Sequence, residues 1–163
     1  MNPIRTARID DAAGIHAVHT RAARISCSVS YSQAQLDGWL GRRTPEGYHP
    51  GIRSGEMYVC ERGGEIVGFG HAVPGEIVAV FVDPDHQRRG IGRQLLAYGF
   101  RIAEAGKEVV CLEATPNAEA FYASAGFTKV DEHFLRRGEV RLRVIGMEKT
   151  VATAKAHSPS GIE

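Results

Sequence analysis

Residues 80–96 read Val80-Phe-Val-Asp-Pro-Asp-His-Gln-Arg-Arg-Gly-Ile-Gly-Arg-Gln-Leu-Leu96, and this stretch decides the architecture. An apolar run stops at Asp83-Pro84 and a polar loop follows. Gly90 and Gly92 then open a segment with Ile91, Leu95, Tyr98 and Ile102 at helical spacing. The first amides of a helix have no partner inside it and carry about half a positive charge between them. Glycines lack a Cβ, so a bulky anion can approach that backbone. Arg88, Arg89 and Arg93 add full charges around the same point. This is a design for holding a pyrophosphate against a helix N-terminus.

Spacing excludes two other phosphate loops. A Walker loop needs lysine and then Ser or Thr after its last glycine, where this chain has Arg93 and Gln94. A dinucleotide fingerprint needs a third glycine where Leu95 stands. What remains is Gln87-Arg-Arg-Gly-Ile-Gly92 behind Val80-Phe-Val-Asp-Pro84, which resembles the acetyl-CoA loop of the GNAT N-acetyltransferase superfamily. Residues 112–127, Leu-Glu-Ala-Thr-Pro-Asn-Ala-Glu-Ala-Phe-Tyr-Ala-Ser-Ala-Gly-Phe, carry the family's later strand, Asn-Ala, Phe-Tyr and Gly-Phe in order. Thr115, Pro116 and Asn117 suit a helix start, and Gly126 suits the left-handed position past its end.

The resemblance covers about residues 3–149 and implies an α/β (α+β) fold. That fold is a twisted, largely antiparallel mixed sheet of about seven strands with helices on both faces. It also implies acetyl-CoA as cofactor. Val80, Phe81 and Val82 would pair with the pantetheine arm, and Gln87, Arg88, Arg89, Gly90, Ile91, Gly92 and Arg93 would surround the diphosphate. Asn117 would contact the pantetheine or thioester side, its bland alternative being a helix cap. Tyr122 would sit beside the cofactor sulfur as general acid.

Acetyl transfer to an amine needs a neutral nucleophile. A lysine-like amine of pKa about 10.4 is neutral in roughly one molecule in a thousand at pH 7, a handicap of roughly 4 kcal/mol. A base is therefore useful. Glu113, at the end of an otherwise apolar strand, is the first choice, with an edge charge or ion-pair partner as the alternative. His71, in Gly68-Phe-Gly-His71, is second and could face the acceptor. Tyr31 and the sole tryptophan, Trp39, are candidate acceptor-wall residues, the alternative for Trp39 being to pack its helix on the sheet. Arg42, Arg43, Arg136, Arg137, Arg141 and Arg143 read as a solvated face or as a preference for an anionic acceptor such as an amino acid. His16 and His19 share a helix face without a third ligand, so no metal site is expected.

The chain has 163 residues, with 20 basic against 19 acidic, which offers no bulk case for nucleic-acid binding. Three scattered cysteines form no Cys-x-x-Cys; Cys60 and Cys111 read as buried thiols. No leader or membrane-spanning segment is apparent, and a cytoplasmic setting fits. One domain is expected over residues 1–150, with a polar, disordered tail over 151–163. A first strand is expected at Ile4–Ile9, then a helix capped by Asp10 or Asp11, a helix at Gln33–Leu40, and a loop to residue 55. Strands follow at Met57–Glu61, Ile66–Val73, Glu76–Val82, Val109–Ala114, Thr128–Leu135 and Val140–Glu148. The strand at Glu76–Val82 is apolar on both faces and should be covered on both.

Taken together, the expected function is an N-acetyltransferase acting on a primary amine, foremost of a small molecule, in a ternary complex. A peptide N-terminal or lysine acetyltransferase and a non-catalytic acyl-CoA sensor are the alternatives. The resemblance also implies a homodimer.

Overall fold

A computed structural model describes residues 3–152. In chain order the elements are β1 (Ile4–Thr6), α1 (Ala12–Ser26), α2 (Gln33–Leu40), α3 (His49–Arg53), β2 (Met57–Arg62), β3 (Glu65–Val73) and β4 (Glu76–Val82). There follow α4 (Ile91–Ala103), β5 (Val109–Ala114), α5 (Glu119–Ser124), β6 (Thr128–Arg137) and β7 (Val140–Thr150). The strands form one seven-stranded sheet in the order β1-β2-β3-β4-β5-β7-β6. Every neighbouring pair is antiparallel except β4 and β5. That parallel pair needs a long crossover, which α4 supplies.

Several elements lie where the sequence pattern puts them, α2, β4 and β5 to the residue. Others differ for physical reasons. The first strand ends at Thr6, and Ile9–Asp11 forms a 3-10 turn. Asp11 does not cap α1; its carboxylate accepts the Arg8 amide at 2.7 Å and a bidentate bond from Arg5. The loop expected up to residue 55 contains a 3-10 turn at Pro45–Tyr48 and then α3, both begun by proline in the first turn. Val151 donates its amide to the Glu108 carbonyl at 2.8 Å and packs on the core. The rest of the expected tail, from residue 153, lies outside the described residues.

Two cores sandwich the sheet. On the α4 face Tyr58, Ile77, Ile91, Leu95, Val110, Leu112, Ile145 and Met147 are buried together. On the other, α1 and α3 cover β2 and β3 with Ile15, Val18, Ile52, Val59 and Phe69. A smaller cluster of Cys27, Tyr31, Leu36, Leu40 and Leu142 seats α2 on β7. Full burial of each large apolar side chain is worth roughly 1.5–3 kcal/mol. Cys60 is buried as expected, but Cys111 is exposed, on the face of β5 that the α1–α3 layer does not cover.

One irregularity shapes the centre of the sheet. The β3–β4 register passes from His71↔Ala79 to Ala72↔Ile77, leaving Val78 as an extra residue. Such a bulge bends its strand and reverses the faces that later side chains take. Ile77, Val80 and Val82 thus pack on the α4 side, while Ala79 and Phe81 pack on the opposite side. Pairing between β4 and β5 stops after Glu76↔Cys111 and Ile77↔Leu112, and the strands part from Val78 onward. The expectation that β4 is covered on both faces is therefore corrected: Val78 is 44% exposed and Ala79 to Val82 are only half-buried, because they border an open cleft.

Candidate active site

The loop after β4 is held from both sides. Asp83 accepts the Asp85 amide at 3.1 Å and starts the 3-10 turn Pro84–His86; its carboxylate also pairs with Arg21 and bonds His86 at 3.0 Å. Gln87 Nε2 donates to Ser26 Oγ at 3.2 Å, tying the loop to the end of α1. Arg88 has φ 63°, the only left-handed non-glycine among the described residues, and Gly90 has φ 83°. Left-handed residues alternating with right-handed ones turn successive amides toward one point, an anion-binding nest. None of the amides from Arg88 to Arg93 donates a hydrogen bond among the described residues. Arg93 reaches Ser124 Oγ at 3.2 Å, while Arg88 and Arg89 make no ion pair among the described residues.

From this loop a cleft of about 1080 Å³ runs along the free edge of β4 to a wall made by α2 and β7. Val80, Phe81, Val82, Gln87, Arg88, Gly90, Gly92, Arg93, Glu113, Asn117 and Tyr122 all border it, as do Tyr31, Trp39 and His71. Ile91 does not; its side chain is buried under α4. Arg89 is not part of the lining either.

Tyr122 is placed by α5, a helix of six residues. Thr115-Pro116 turns the chain into it, and Gly126, at φ 99°, ends it. The Phe127 amide returns to the Tyr122 carbonyl at 3.1 Å, and both neighbouring phenylalanine rings pack edge-on against Tyr122. Burial, then the nearby Cys27 thiol, pushes the Tyr122 phenol well above its usual range. The hydroxyl keeps its proton at neutral pH and can only donate it. Asn117 is not a helix cap; its Oδ1 accepts from Ser30 at 3.1 Å at the cleft rim.

Glu113 stands on the outer face of β5. Its Oε2 lies 2.7 Å from His133 Nε2, and His133 Nδ1 lies 3.2 Å from Asp131. Gly146 of β7 lies between them in the sheet, paired with Glu113 on one side and Asp131 on the other. Without a side chain at Gly146, His133 reaches across β7. Its pKa is raised, first by the bond to Glu113. Glu76 also borders the cleft, its carboxyl pKa raised by burial and then by the Glu113 charge. His71 Nε2 bonds Glu56 at 2.9 Å. Sequence reasoning missed Glu76 and His133. Glu76 opens a strand read as apolar, and His133 meets Glu113 only through the order β5-β7-β6.

On the acceptor side the Tyr31 hydroxyl donates to the Arg143 carbonyl at 2.7 Å. Trp39 packs edge-on against Tyr31 and His19, so it both anchors α2 and borders the cleft. His19 is buried among Phe69, Phe81, Tyr48 and Trp39, a packing residue bonded to Tyr48 at 2.7 Å.

The family model described as an acetyltransferase (GNAT) domain matches residues 53–129, which include the bulged strand, the loop and the Phe121-Tyr122 helix. That segment is similar to the GNAT family. The chain is 38% identical over 93 residues to the mycothiol acetyltransferase of Streptomyces bingchenggensis, a match covering 51% of the chain but only 30% of that relative. A GCN5-related N-acetyltransferase from Rhodopseudomonas palustris shares the fold with a TM-score of 0.85 at 23% identity, over 93% of this chain and 96% of that one. The PaiA N-acetyltransferase of Thermoplasma acidophilum, solved with coenzyme A, superposes with a TM-score of 0.75 at 17% identity, over 93% and 99% of the two chains. The acceptor-side residues Tyr31, Trp39 and Arg137 lie outside the segment that the family model matches. No helix among the described residues is long and apolar enough to cross a membrane.

Proposed function

We propose that this GNAT domain, spanning residues 1–150, is an N-acetyltransferase that moves an acetyl group from acetyl-CoA to a primary amine of a small molecule. The observation that carries the reading is the run of unpartnered amides at Arg88–Arg93 facing a cleft whose other border is the free edge of β4. Six orphan donors with nearby guanidiniums fit a diphosphate. Val80, Phe81 and Val82 pair with β3 on one side, and their free edge toward β5 fits the amides of a pantetheine arm, which would add to β4 as a strand does. Bound there, acetyl-CoA supplies an activated acetyl thioester.

The chain's own residues supply the proton handling. Glu113 accepts a proton from the incoming ammonium, directly or through water, and His133 holds its carboxylate in place. Glu76, with its raised pKa, is a second carboxyl within reach of the same charge. Tyr122 holds a proton for the departing sulfur. The Tyr31–Arg143 bond and the bond from Gln35 to the Arg141 carbonyl, 2.9 Å, seal α2 onto β7 and leave a pocket at the acceptor end, which favours a small amine over a peptide. Three unbridged cysteines are compatible with a cytoplasmic setting.

Calorimetry with acetyl-CoA, followed by thiol release against amines, amino acids and peptides, tests the proposal. Binding plus turnover on small amines is the expected result. Turnover confined to peptides would replace the acceptor class, and binding without turnover would make the domain a sensor.

A further inference from the structure

The acceptor end of the cleft carries two guanidiniums without an ion-pair partner among the described residues. Arg43 follows α2, and its Nε is buried without a hydrogen-bond partner. Its guanidinium faces the Tyr48 hydroxyl and the His19 ring, neither of which carries negative charge at neutral pH. Arg137 ends β6 at the β6–β7 turn and, among the described residues, bonds only the neighbouring Arg136 carbonyl, at 3.0 Å. Both side chains border the cleft, and neither is in an ion pair among the described residues. Other arginines nearby are satisfied: Arg143 pairs with Glu132, and Arg24 with Asp37.

The β6–β7 turn closes on α2. A Cβ on Gly138 would lie 3.1 Å from the Gly38 carbonyl, and Val140 packs on Gly38 itself. Arg43 and Arg137 border the same cleft as Tyr31, Trp39, Leu135 and Leu142. The carboxylates Glu76 and Glu113 lie at the other side, at the seam between β4 and β5. An unpaired guanidinium with a buried nitrogen is an incomplete site, because a buried donor left without an acceptor has lost its water and gained nothing for it.

Resting on the acetyltransferase reading, we propose that the acceptor is a zwitterion: an amine presented to Glu113 and Glu76, with an apolar body against Trp39 and an oxyacid anion held by Arg43 and Arg137. Guanidinium forks take carboxylate and phosphate alike, so the class is an amino acid or its phosphorus analogue.

The test compares L-leucine, isopentylamine and the aminophosphonate analogue of leucine as acceptors, using wild type and the Arg43→Gln/Arg137→Gln double variant. Each acceptor is also titrated calorimetrically into the protein–coenzyme A complex. Leucine or the phosphonate should exceed isopentylamine by about tenfold or more in kcat/KM and should show measurable heat of binding. Whichever anion wins identifies the source. The double variant should lose that margin while its calorimetric affinity for acetyl-CoA, read in parallel, stays at the wild-type value. Equal use of isopentylamine, or a preference that survives in the double variant, overturns the assignment. So does acetyl-CoA binding with no acceptor turned over and no heat from leucine or the phosphonate. Absence of any affinity for acetyl-CoA would overturn the enzyme reading itself, and this one with it.

Discussion

Tyr122 cannot act as a base at neutral pH, because burial holds its phenol protonated. Its role is confined to donation, so Tyr122→Phe should bind acetyl-CoA with unchanged affinity and lose about 100-fold in kcat. Calorimetry and steady-state rates separate the two. His19 has the opposite problem. Burial pushes its imidazole down to about 3, with lesser contributions from Arg43 and His16. A histidine held neutral in the fold but free to protonate when unfolded makes the unfolded state bind more protons between pH 6.5 and 3. Stability should therefore fall with acid across that window, by about 2 kcal/mol from this group at pH 5. The acid limb of a urea-denaturation series should be flatter in His19→Phe. Thiol labelling reads a third residue-scale difference: in the native protein only Cys111 should react quickly, with Cys27 and Cys60 following on unfolding. Tyr122 and Glu113 were candidates in the sequence, the first from the Phe-Tyr resemblance and the second from its place at a strand end, and both border the cleft. Arg43 and Arg137 were named there only within a larger set of arginines, and Glu76 and His133 draw their meaning from a neighbour far away in the chain.

Helix α4 and the sheet are fitted together by a tyrosine and glycines rather than by branched side chains alone. The Tyr58 ring from β2 lies over Gly70 of β3, and its hydroxyl lies against Gly99 of α4 with no hydrogen-bond partner. A Cβ at Gly99 would collide with that hydroxyl. Gly99→Ala should cost about 1–3 kcal/mol by overpacking. Tyr58→Phe removes an unmet buried hydroxyl and should be near neutral. Because the phenol oxygen is the nearest clash, Tyr58→Phe should recover part of the Gly99→Ala loss, visible as a positive coupling in a double-mutant cycle of chemical denaturation. At this scale the sequence was informative wherever a local signal existed. Gly63 and Gly64, at φ 58° and 82°, mark the β2–β3 hairpin, and the spacing of Ile91 and Leu95 marks α4. The bulge at Val78 left no such signal. Val78 is one apolar residue in a run of them, and only the register against β3 reveals that it is unpaired.

The whole molecule is two sheet segments, β1–β4 and β5–β7, joined at the seam by two rungs and backed by the α4-side core. A ligand lying along β4 would tie the segments together. Acetyl-CoA at 100 times its dissociation constant should add about 2.7 kcal/mol to the unfolding free energy and raise the melting temperature by roughly 5–10 °C. Hydrogen exchange should slow in β4 and β5 as well as in the loop. The overall fold was readable from the loop and the Phe121-Tyr122 segment because both are local patterns. Tyr31 and Trp39 were candidates for the acceptor end, but its assembly from α2, the residues after it and the β6–β7 turn was not readable.

Val78 also bears on how such a catalyst can be lost. Removing that single residue would put His71↔Ala79 and Ala72↔Ile77 into consecutive steps of a regular ladder. A straightened β4 could then zip against its parallel neighbour, and the shortened polypeptide would gain hydrogen bonds while the slot for the thioester disappeared. Here a defect in the weave is the doorway, and mending it would brick the doorway up.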